Sequence, residues 1–518
     1  MVVPLGTTFV VIEDPMSRTV VFLSYRAEIP WAARVARRLR ADGVDSHLWI
    51  FGRVEHALGV ATGAFVEVVD LTAGFDRQRI DGTVGAAARA AALQIELSLG
   101  ETFLHTDAAS DRRITGVDHV EIPRADIRHR WTWDQLCGLV VHLEGVVTEL
   151  LDRVGVDAVM VEPALMPERF ICRLVRRSGV RLLIPSYLAY LDDRLYFSDR
   201  LDAQWPACIQ RYDDPAGFPA SPGALTSSEA IIASIRDRAT IAQRREDVRD
   251  FLTSRRMRFG PSRITNVWRQ WSEARRDNLA GDPHAPYPEL VTPWARGRRK
   301  LERFRLRRGF ERWASRSLPT GPYVAYFLHA QPEITVDSWA FEFQDQVALI
   351  RNIVATIPAD TVVAVKEHWI QAGLRDPAFY EELLSIPGVV LLHDVVPTRE
   401  VIRGAQLVCT LTGTAAVEAM VVGVPSVIFG DIYYEHFRGI QRVRTVAELA
   451  SVVADLRAFP LATDEDVMRA FAARYDASHE AGWMSGGRVD ADEDKAAVAI
   501  LREIDPQGSG SGSLATTA

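Results

Sequence analysis

Small and hydroxylated residues between an apolar run and a helix form the segment of this sequence with the clearest chemical use. Thr412, Gly413 and Thr414 follow an apolar run that ends near Thr410, and the helix after them opens with alanines. The first N–H groups of a helix have no partner within it, and the helix dipole favours an anion there. The pattern predicts a phosphate-binding elbow, with Glu418 placed to bind a neutral hydroxyl of the same ligand, such as a ribose. The alternative is that the small residues only pack the helix against a sheet.

Apolar and amphipathic runs alternate on both sides of this elbow. The order predicts a parallel, doubly wound sheet with helices on both faces, in which ligands bind at the carboxyl ends of the strands. The predicted strands are 323–328, 361–366, 389–392, the run before the elbow and 425–429, and the predicted helices are 341–357, 377–385, 398–404 and 415–422.

Polar side chains follow these predicted strands, so we expect five loops to converge on one edge of the sheet. Cations, histidines and an amide in one cleft suit a phosphorylated ligand. Lys366 is one of only three lysines in an arginine-rich chain, which indicates that a compact point charge is wanted there. The alternative is that Lys366 and Glu367 form a surface ion pair. The polar residues are His329, Gln331, Glu333, Lys366, Glu367, His368, His393, Asp394 and Asp431.

Several short motifs between residues 326 and 434 together carry a family resemblance. They are Gln331-Pro332-Glu333, Val365-Lys366-Glu367-His368, the stretch 412–419, Gly423-Val424-Pro425 and Phe429-Gly430. With these motifs the sequence resembles the capsular polysaccharide biosynthesis glycosyltransferases, a family that includes the bacterial Kdo transferases of capsule assembly. The resemblance implies a GT-B fold, with two Rossmann-like domains facing a cleft, the carboxyl half holding a nucleotide sugar and the amino half its acceptor. It also implies chemistry without a metal.

One departure from the family concerns its His-Pro dipeptide, which is His368-Trp369 here. Proline fixes the backbone after the histidine, whereas tryptophan supplies only an aromatic face. The general class is unaffected, but the donor sugar, CMP-Kdo included, is left open.

The amino half also follows a β-α-β order, which predicts a second Rossmann-like domain. Glycosyl transfer needs a group that takes the acceptor's proton, or a carboxylate that attacks the anomeric carbon. Glu162, at the carboxyl end of the predicted strand 158–163, is the first candidate. Asp107 is the second and Asp192-Asp193 the third, although acids at strand ends are often helix caps. The other predicted elements here are strands 18–25, 45–50 and 181–184 and helices 30–41, 132–153 and 167–179.

Length and composition fit this arrangement. The 518 residues carry a net charge of −8 and four scattered cysteines, which excludes a disulfide framework and indicates a reduced, cytoplasmic location. No histidine pair has metal-ligand spacing, so we expect no bound metal. We predict an amino domain over 1–205, a mainly helical basic insertion over 206–318, a nucleotide-sugar domain over 319–505 and a flexible tail over 506–518. The predicted fold class is therefore α/β, with two Rossmann-like domains and a helical basic insertion between them.

The basic insertion has a character of its own. Residues 244–316 contain 20 Arg or Lys against 9 Asp or Glu, with tryptophans among them. Three interpretations are open. The insertion contacts the anionic inner face of the cytoplasmic membrane peripherally, it binds a polyanionic glycan, or it is a solvated helical insertion. We expect no nucleic-acid partner, since no fold for one surrounds the patch.

The resulting hypothesis is a transferase that uses a nucleotide sugar, CMP- or UDP-linked, and a glycan or lipid-linked acceptor, with no tightly bound cofactor. The nucleotide phosphates rest on Thr412, Gly413 and Thr414, and Lys366 and His368 neutralise the leaving phosphate. Three alternatives are a sugar-nucleotide epimerase, a polyol-phosphate transferase and a non-catalytic assembly partner. In this hypothesis Glu418 binds the ribose, and Gln331 and Glu333 line the sugar site. Glu162 or Asp107 activates the acceptor or attacks the donor.

Overall fold

A computed structural model describes most of the chain. The described residues are 18–24, 28–110, 131–191, 193–237, 268–269, 271–272, 274–276, 293–331, 333–368, 371–372, 375–481 and 492–505. Several features discussed above lie outside these ranges. They are Pro332, Trp369, Asp192, residues 244–267 and 277–292 of the basic insertion, and the tail 506–518.

The first sheet has the strand order β13-β6-β5-β4-β1-β2-β3. Its central strands are apolar and buried on both faces, as expected for a parallel sheet covered by helices. Strands β1 to β5 run parallel, and β6 is antiparallel to β5. The strands are β1 (Arg18–Leu23), β2 (Val44–Ile50), β3 (Val68–Asp70), β4 (Ala158–Val161), β5 (Arg181–Tyr187), β6 (Arg194–Ser198) and β13 (His479–Glu480). The helices of this half are α1 (Ile29–Ala41), α2 (Arg53–Ala61), α3 (Gly82–Leu99), α4 (Leu104–Ser110), α5 (Trp133–Val154) and α6 (Met166–Arg177).

The second sheet is entirely parallel, with the order β12-β11-β10-β7-β8-β9. Its strands are β7 (Tyr323–Phe327), β8 (Val362–Lys366), β9 (Val389–Leu392), β10 (Leu407–Thr410), β11 (Ser426–Ile428) and β12 (Ile440–Arg442). Before it along the chain come α7 (Pro206–Asp213), α8 (Pro222–Arg236) and α9 (Pro293–Trp313). Its own helices are α10 (Ile334–Asp337), α11 (Gln346–Val354), α12 (Pro377–Leu384), α13 (Thr398–Gly404), α14 (Ala415–Val422) and α15 (Val446–Ala454). The last two helices are α16 (Asp464–Asp476) and α17 (Glu493–Ile504).

The two sheets confirm the predicted α/β class with two Rossmann-like halves. In place of one predicted helix over 341–357, the structure has a 3-10 turn at Phe341–Phe343 followed by the helix α11. The reason is a cap: the side chain of Asp345 accepts a hydrogen bond from the N–H of Ala348, which starts a new helix at Gln346.

The end of the chain returns to the first sheet. Strand β13 pairs with β6, and α17 packs on α1, so that Ile500 is buried with Trp31 and Leu39 in one core. Arg34 of α1 also forms an ion pair with Glu493. Residues 479–505, which we predicted to belong to the second domain, therefore complete the first.

Residues 206–237 also differ from the prediction of an insertion. Helices α7 and α8 share a buried core with α14 and α16, in which Cys208 and Ile232 lie with Met420 and Phe471. Helix α9 packs on the same half through Phe310, whose ring lies 5.6 Å from that of Tyr380. Within the described residues, no helix is both long and apolar enough to cross a membrane.

Candidate nucleotide site between the two sheets

The carboxyl ends of five strands in the second sheet are aligned by register. Phe327 pairs with Lys366 on one side and with Thr410 on the other. Lys366 in turn pairs with Leu392, and Thr410 with Ile428. The loops that follow these strands therefore share one edge, as the sequence predicted.

The elbow is built at the centre of this edge, between β10 and α14. The N–H of Thr412 donates to Nε2 of His329 at 3.3 Å, and its hydroxyl donates to the carbonyl of Thr335 at 3.0 Å. Helix α14 begins at Ala415 with Thr414 as its exposed N-cap residue. The helix start therefore lies at the surface of the edge, where its dipole favours an anion.

Gly413 has no room for a side chain. A Cβ atom there would lie 2.5 Å from Oγ1 of Thr410 and 3.3 Å from the ring of His329. The glycine lets the backbone pack this closely between β10 and the loop after β7. The elbow thus depends on glycine for steric reasons and not for a left-handed backbone.

His329 is held as a neutral acceptor. Burial, opposed by a hydrogen bond with Phe327 and assisted by the charge of Arg375, lowers the pKa of its imidazole to about 4. Arg375 also donates to the His329 carbonyl at 2.5 Å. A neutral ring is what the N–H of Thr412 requires as an acceptor. Arg375 was not predicted, because its place near this loop depends on a long-range contact.

Glu418 lies where the two halves of the molecule meet. Its Oε1 accepts a 2.7 Å hydrogen bond from the hydroxyl of Tyr190, which follows β5 of the first sheet. Tyr190 has a φ of 74° and is the one non-glycine residue in the described part of the chain with a positive φ. Such a backbone conformation costs energy and often marks a functional site. The place of Tyr190 in a loop after a strand was the one feature of the sequence that could have pointed to it.

Gln331 is bound by protein groups at both ends of its amide. Its Nε2 donates to Asp337 at 3.2 Å and to the carbonyl of Gln344 at 2.7 Å, and its Oε1 accepts from Gln346 at 2.7 Å. The N–H of Glu333 donates to Asp337 at 2.8 Å. Burial raises the pKa of Asp337. The Gln331 side chain therefore shapes the loop after β7, in which Glu333 is half-buried.

Lys366 and Glu367 are buried, not a surface ion pair. Lys366 is 4 % exposed, and its ammonium donates to the His393 carbonyl at 2.6 Å. Glu367 accepts from Arg375 at 2.9 Å, from Tyr380 at 2.8 Å and from the N–H of His368 at 2.6 Å. The carboxylate fixes the backbone at His368, whose side chain is half-buried at the strand end.

The acids predicted in the amino half lie in different surroundings. Glu162 follows β4 and is half-buried at the carboxyl edge of the first sheet. Asp107 is 0 % exposed, and its two oxygens accept from Arg169 and Arg173, each at 2.6 Å. A fully buried carboxylate between two guanidinium groups does not face a substrate in this structure, which favours a structural role for Asp107 over the predicted catalytic one. Asp193 is exposed, and its carbonyl accepts from Ala481 near β13.

The two halves touch through several polar contacts besides the Tyr190 pair. Arg169 of α6 donates to Oγ of Ser338 at 2.8 Å, directly after α10. Trp339 donates from its indole to the carbonyl of Leu201 at 3.2 Å. Gln204 bonds Asp431 in the loop after β11. The elbow and Glu162 therefore lie on the facing edges of two sheets that are in contact.

Residues 339–460 match the sequence model of a family described as "Capsule polysaccharide biosynthesis protein". The matched segment contains His368, the elbow and Glu418. The resemblance predicted from the sequence is confirmed over this segment. No curated protein matches the chain.

Solved structures with related architecture are distant. The β-Kdo 2,7-transferase part of KpsC from Thermosulfurimonas dismutans is 10% identical, with a TM-score of 0.31 over 69% of this chain and 88% of that one. Its β-Kdo 2,4-transferase part is 11% identical, with a TM-score of 0.32 over 62% of this chain and 79% of that one. The UDP-GlcNAc 2-epimerase from Methanocaldococcus jannaschii is 10% identical, with a TM-score of 0.23 over 88% of this chain and 98% of that one.

Proposed function

We propose that this protein is a GT-B-type glycosyltransferase that moves a sugar from a nucleotide sugar to a glycan or lipid-linked acceptor in surface or capsular polysaccharide synthesis. The observation that carries the proposal is the elbow at Gly413. Its backbone packs against His329 with no space for a Cβ atom, and it ends at an exposed helix start on the carboxyl edge of a parallel sheet. Ligands of doubly wound sheets bind at this edge, and the elbow lies in the segment that matches the capsule family.

The donor nucleotide would bind the elbow through its phosphates. The N–H groups at the start of α14 would donate to the phosphate oxygens, and the helix dipole would favour their charge. Glu418, one turn further, would accept from a ribose hydroxyl. Because Tyr190 holds that carboxylate in this structure, the ribose would either displace the tyrosine or share the carboxylate with it.

The main catalytic task of the protein would be to stabilise the negative charge that develops on the leaving phosphate. Lys366 has its ammonium on the His393 carbonyl, so it would act through its field at the strand end and not by direct contact. His368 has its backbone fixed by Glu367 and would bring its imidazole to the phosphate. Groups that are already in place cost no reorganisation when the C–O bond breaks.

The acceptor would bind against the edge of the first sheet. Glu162 would take the proton of the acceptor hydroxyl while the acceptor oxygen attacks the anomeric carbon. The electron pair of the breaking C–O bond would leave with the nucleotide phosphate. In a double-displacement route Glu162 would instead attack the anomeric carbon as the nucleotide phosphate leaves with the electron pair of the C–O bond. The acceptor oxygen would then displace the carboxylate and give its proton to the departed phosphate. In either route Glu162 is, among the predicted amino-half acids that the structure describes, the half-buried one at this edge.

The donor would be a CMP- or UDP-linked sugar used as a substrate, with no tightly bound cofactor and no metal. We place the reaction in the cytoplasm, and the four cysteines are free and buried. Free, buried thiols agree with a reduced compartment such as the cytoplasm.

A transfer assay tests this function. The purified protein is incubated with each nucleotide sugar, with and without a lipid extract that contains acceptors, and released nucleotide and sugar-bearing product are measured. Nucleotide release that depends on the acceptor, and that is lost in Glu162→Gln, supports the transferase. Conversion of the donor without an acceptor would indicate an epimerase, and transfer of polyol phosphate from a CDP-linked polyol would indicate a polyol-phosphate transferase. No turnover and no binding would indicate an assembly partner.

A further inference from the structure

Among the side chains of helix α9 that the structure describes, the fully buried ones lie on one face, against the second half of the molecule. Leu306 is 8 % exposed and Phe310 0 %. Arg307 of the same helix donates to Asp394 at 3.0 Å, and Glu311 lies 2.7 Å from Nε2 of His393. These contacts fix α9 to the loop after β9, which is at the same edge of the sheet as the elbow.

The outward face of α9 combines large apolar and basic side chains. Trp294 is 72 %, Leu301 52 % and Phe304 58 % exposed, and Arg305 and Arg308 are exposed as well. At roughly 100° per residue, positions 294, 301, 305 and 308 fall within about 60° of each other, and 304 borders them. Positions 306 and 310 fall on the opposite side, which agrees with their burial. We call the five exposed residues Trp294, Leu301, Phe304, Arg305 and Arg308 the outward face.

The charge of α9 is opposite to that of the chain. Residues 293–313 contain 9 Arg or Lys and 2 Asp or Glu, whereas the whole protein has a net charge of −8. Basic helices of this kind, with aromatic and leucine side chains on an exposed face, lie in the interface of anionic bilayers. Arg and Lys near such a surface are attracted by its negative potential.

We propose that the outward face of α9 binds the surface of an anionic membrane, with Trp294, Leu301 and Phe304 entering the headgroup region and Arg305 and Arg308 at the lipid phosphates. A lipid surface fits better than a soluble polyanion, because Leu301 and Phe304 gain from leaving water only where apolar groups receive them. Since α9 is joined to the loop after β9, binding brings the edge that carries the elbow towards the membrane, where a lipid-linked acceptor would be found.

Vesicle co-sedimentation of the full chain tests this proposal without any need for turnover. The vesicles contain phosphatidylcholine alone or with about 30 mol % phosphatidylglycerol, the anionic component that the charge argument requires. We expect binding to the anionic vesicles that weakens as salt is raised. A failure of nucleotide binding or transfer would leave this result unchanged, so the two proposals fail separately.

Two variants of the outward face and two matched controls complete the test. We expect binding to fall at least about tenfold in Trp294→Ser/Leu301→Ser/Phe304→Ser and in Arg305→Glu/Arg308→Glu. The apolar control is Leu93→Ser/Leu97→Ser, at positions 51 % and 64 % exposed on α3, and the charge control is Arg444→Glu/Arg457→Glu, at exposed positions of the second half. Both should bind like the wild type, and the melting temperature of each variant shows that it is folded.

Three outcomes would overturn the proposal. One is no binding of the wild type to the anionic vesicles. The second is equal binding by the outward-face variants and their controls. The third is binding to the soluble polyanion heparin that persists in the apolar triple variant, with none to vesicles, which would identify a glycan surface instead.

Discussion

The hydroxyl of Tyr190 donates a 2.7 Å hydrogen bond to Glu418, which joins a loop of the first sheet to the helix after the elbow. Glu418 is the residue that we assign to the ribose of the donor. The carboxylate is thus held, in this structure, by a side chain of the opposite half. A ligand that takes this carboxylate competes with the Tyr190 contact, and its apparent affinity is reduced by the population of the state that it must displace.

Removal of this hydroxyl should strengthen nucleotide binding. In Tyr190→Phe the ribose no longer competes for Glu418, so we expect the affinity to rise by about two- to tenfold, the equivalent of one ordinary hydrogen bond. Isothermal titration calorimetry measures it. The control is Tyr323→Phe, whose hydroxyl donates at 2.9 Å to the carbonyl of Val401. Weaker binding in Tyr190→Phe would show that the tyrosine helps to hold the ligand.

Loss of the buried ammonium at Lys366 should affect both stability and turnover. Lys366→Met leaves the His393 carbonyl without its 2.6 Å donor, so we expect a loss of about 1–3 kcal/mol in the free energy of unfolding. Loss of the positive charge at the end of β8 should lower kcat by a larger factor than it raises KM for the donor. Urea unfolding and steady-state kinetics measure the two effects. Lys495→Met, whose ammonium is exposed in an ion pair with Glu480, should change neither by much, and unchanged kcat in Lys366→Met would remove the lysine from the mechanism.

Asp107 should matter for stability and not for catalysis. Asp107→Asn leaves Arg169 and Arg173 buried beside a neutral amide, which costs about 3–5 kcal/mol when a buried pair is broken in this way. Asp76→Asn removes an exposed partner of Arg79 and should cost less than about 1 kcal/mol. Urea unfolding compares them. A folded Asp107→Asn protein that has lost turnover but keeps wild-type stability would contradict this assignment.

The stability of the protein should fall between neutral pH and pH 4, and His329 should contribute to the fall. Burial lowers the pKa of His329 from 6.5 to about 4, so between these values the unfolded chain binds a proton that the folded protein does not. Its contribution is fully present above about pH 6.5 and decreases as the pH falls towards 4, by at most about 3 kcal/mol.

The variant His329→Gln isolates this contribution, because glutamine keeps an acceptor for the N–H of Thr412 and does not titrate. Urea unfolding at a series of pH values should show a smaller decrease for His329→Gln than for the wild type. Burial also lowers the pKa values of His47 and His142, so the wild-type slope contains their contributions and only the difference belongs to His329. His436→Gln, at a surface position, is the control, and an equal slope in His329→Gln would contradict the prediction.

Local patterns in the sequence predicted the elements of the second half well. Strand β9 and helices α13 and α14 have the predicted bounds, because a short apolar run between turn residues has few other structures. The elbow was visible for the same reason, since Gly413 and its neighbours form one contiguous segment. The return of residues 479–505 to the first sheet depends on contacts with residues far away in sequence, for which no local pattern exists.

The same limit applies to the side chains of the site. Lys366 stood out as a rare lysine and Asp107 as a candidate acid, yet the sequence does not tell that Lys366 donates to the His393 carbonyl and that Asp107 lies between two arginines. Tyr190 and Arg375 enter the site through loops whose positions are set by packing of the whole fold. Residue type indicated the class of chemistry, and only the three-dimensional arrangement indicated which groups are exposed to a ligand.

A nucleotide site at the elbow can be tested with a thermal-shift screen of CMP, CDP, UDP, GDP and their sugar conjugates against the wild type, Gly413→Ala and Gly145→Ala. A ligand that binds only the folded state raises the melting temperature. In Gly413→Ala the new Cβ would lie 2.5 Å from Thr410 Oγ1 and 3.3 Å from His329, whereas in Gly145→Ala nothing lies within 4 Å. We predict that one nucleotide stabilises the wild type and Gly145→Ala by several degrees and that Gly413→Ala loses this shift while it still melts cooperatively. No shift with any nucleotide, or an equal shift in a folded Gly413→Ala protein, would contradict a nucleotide site at the elbow.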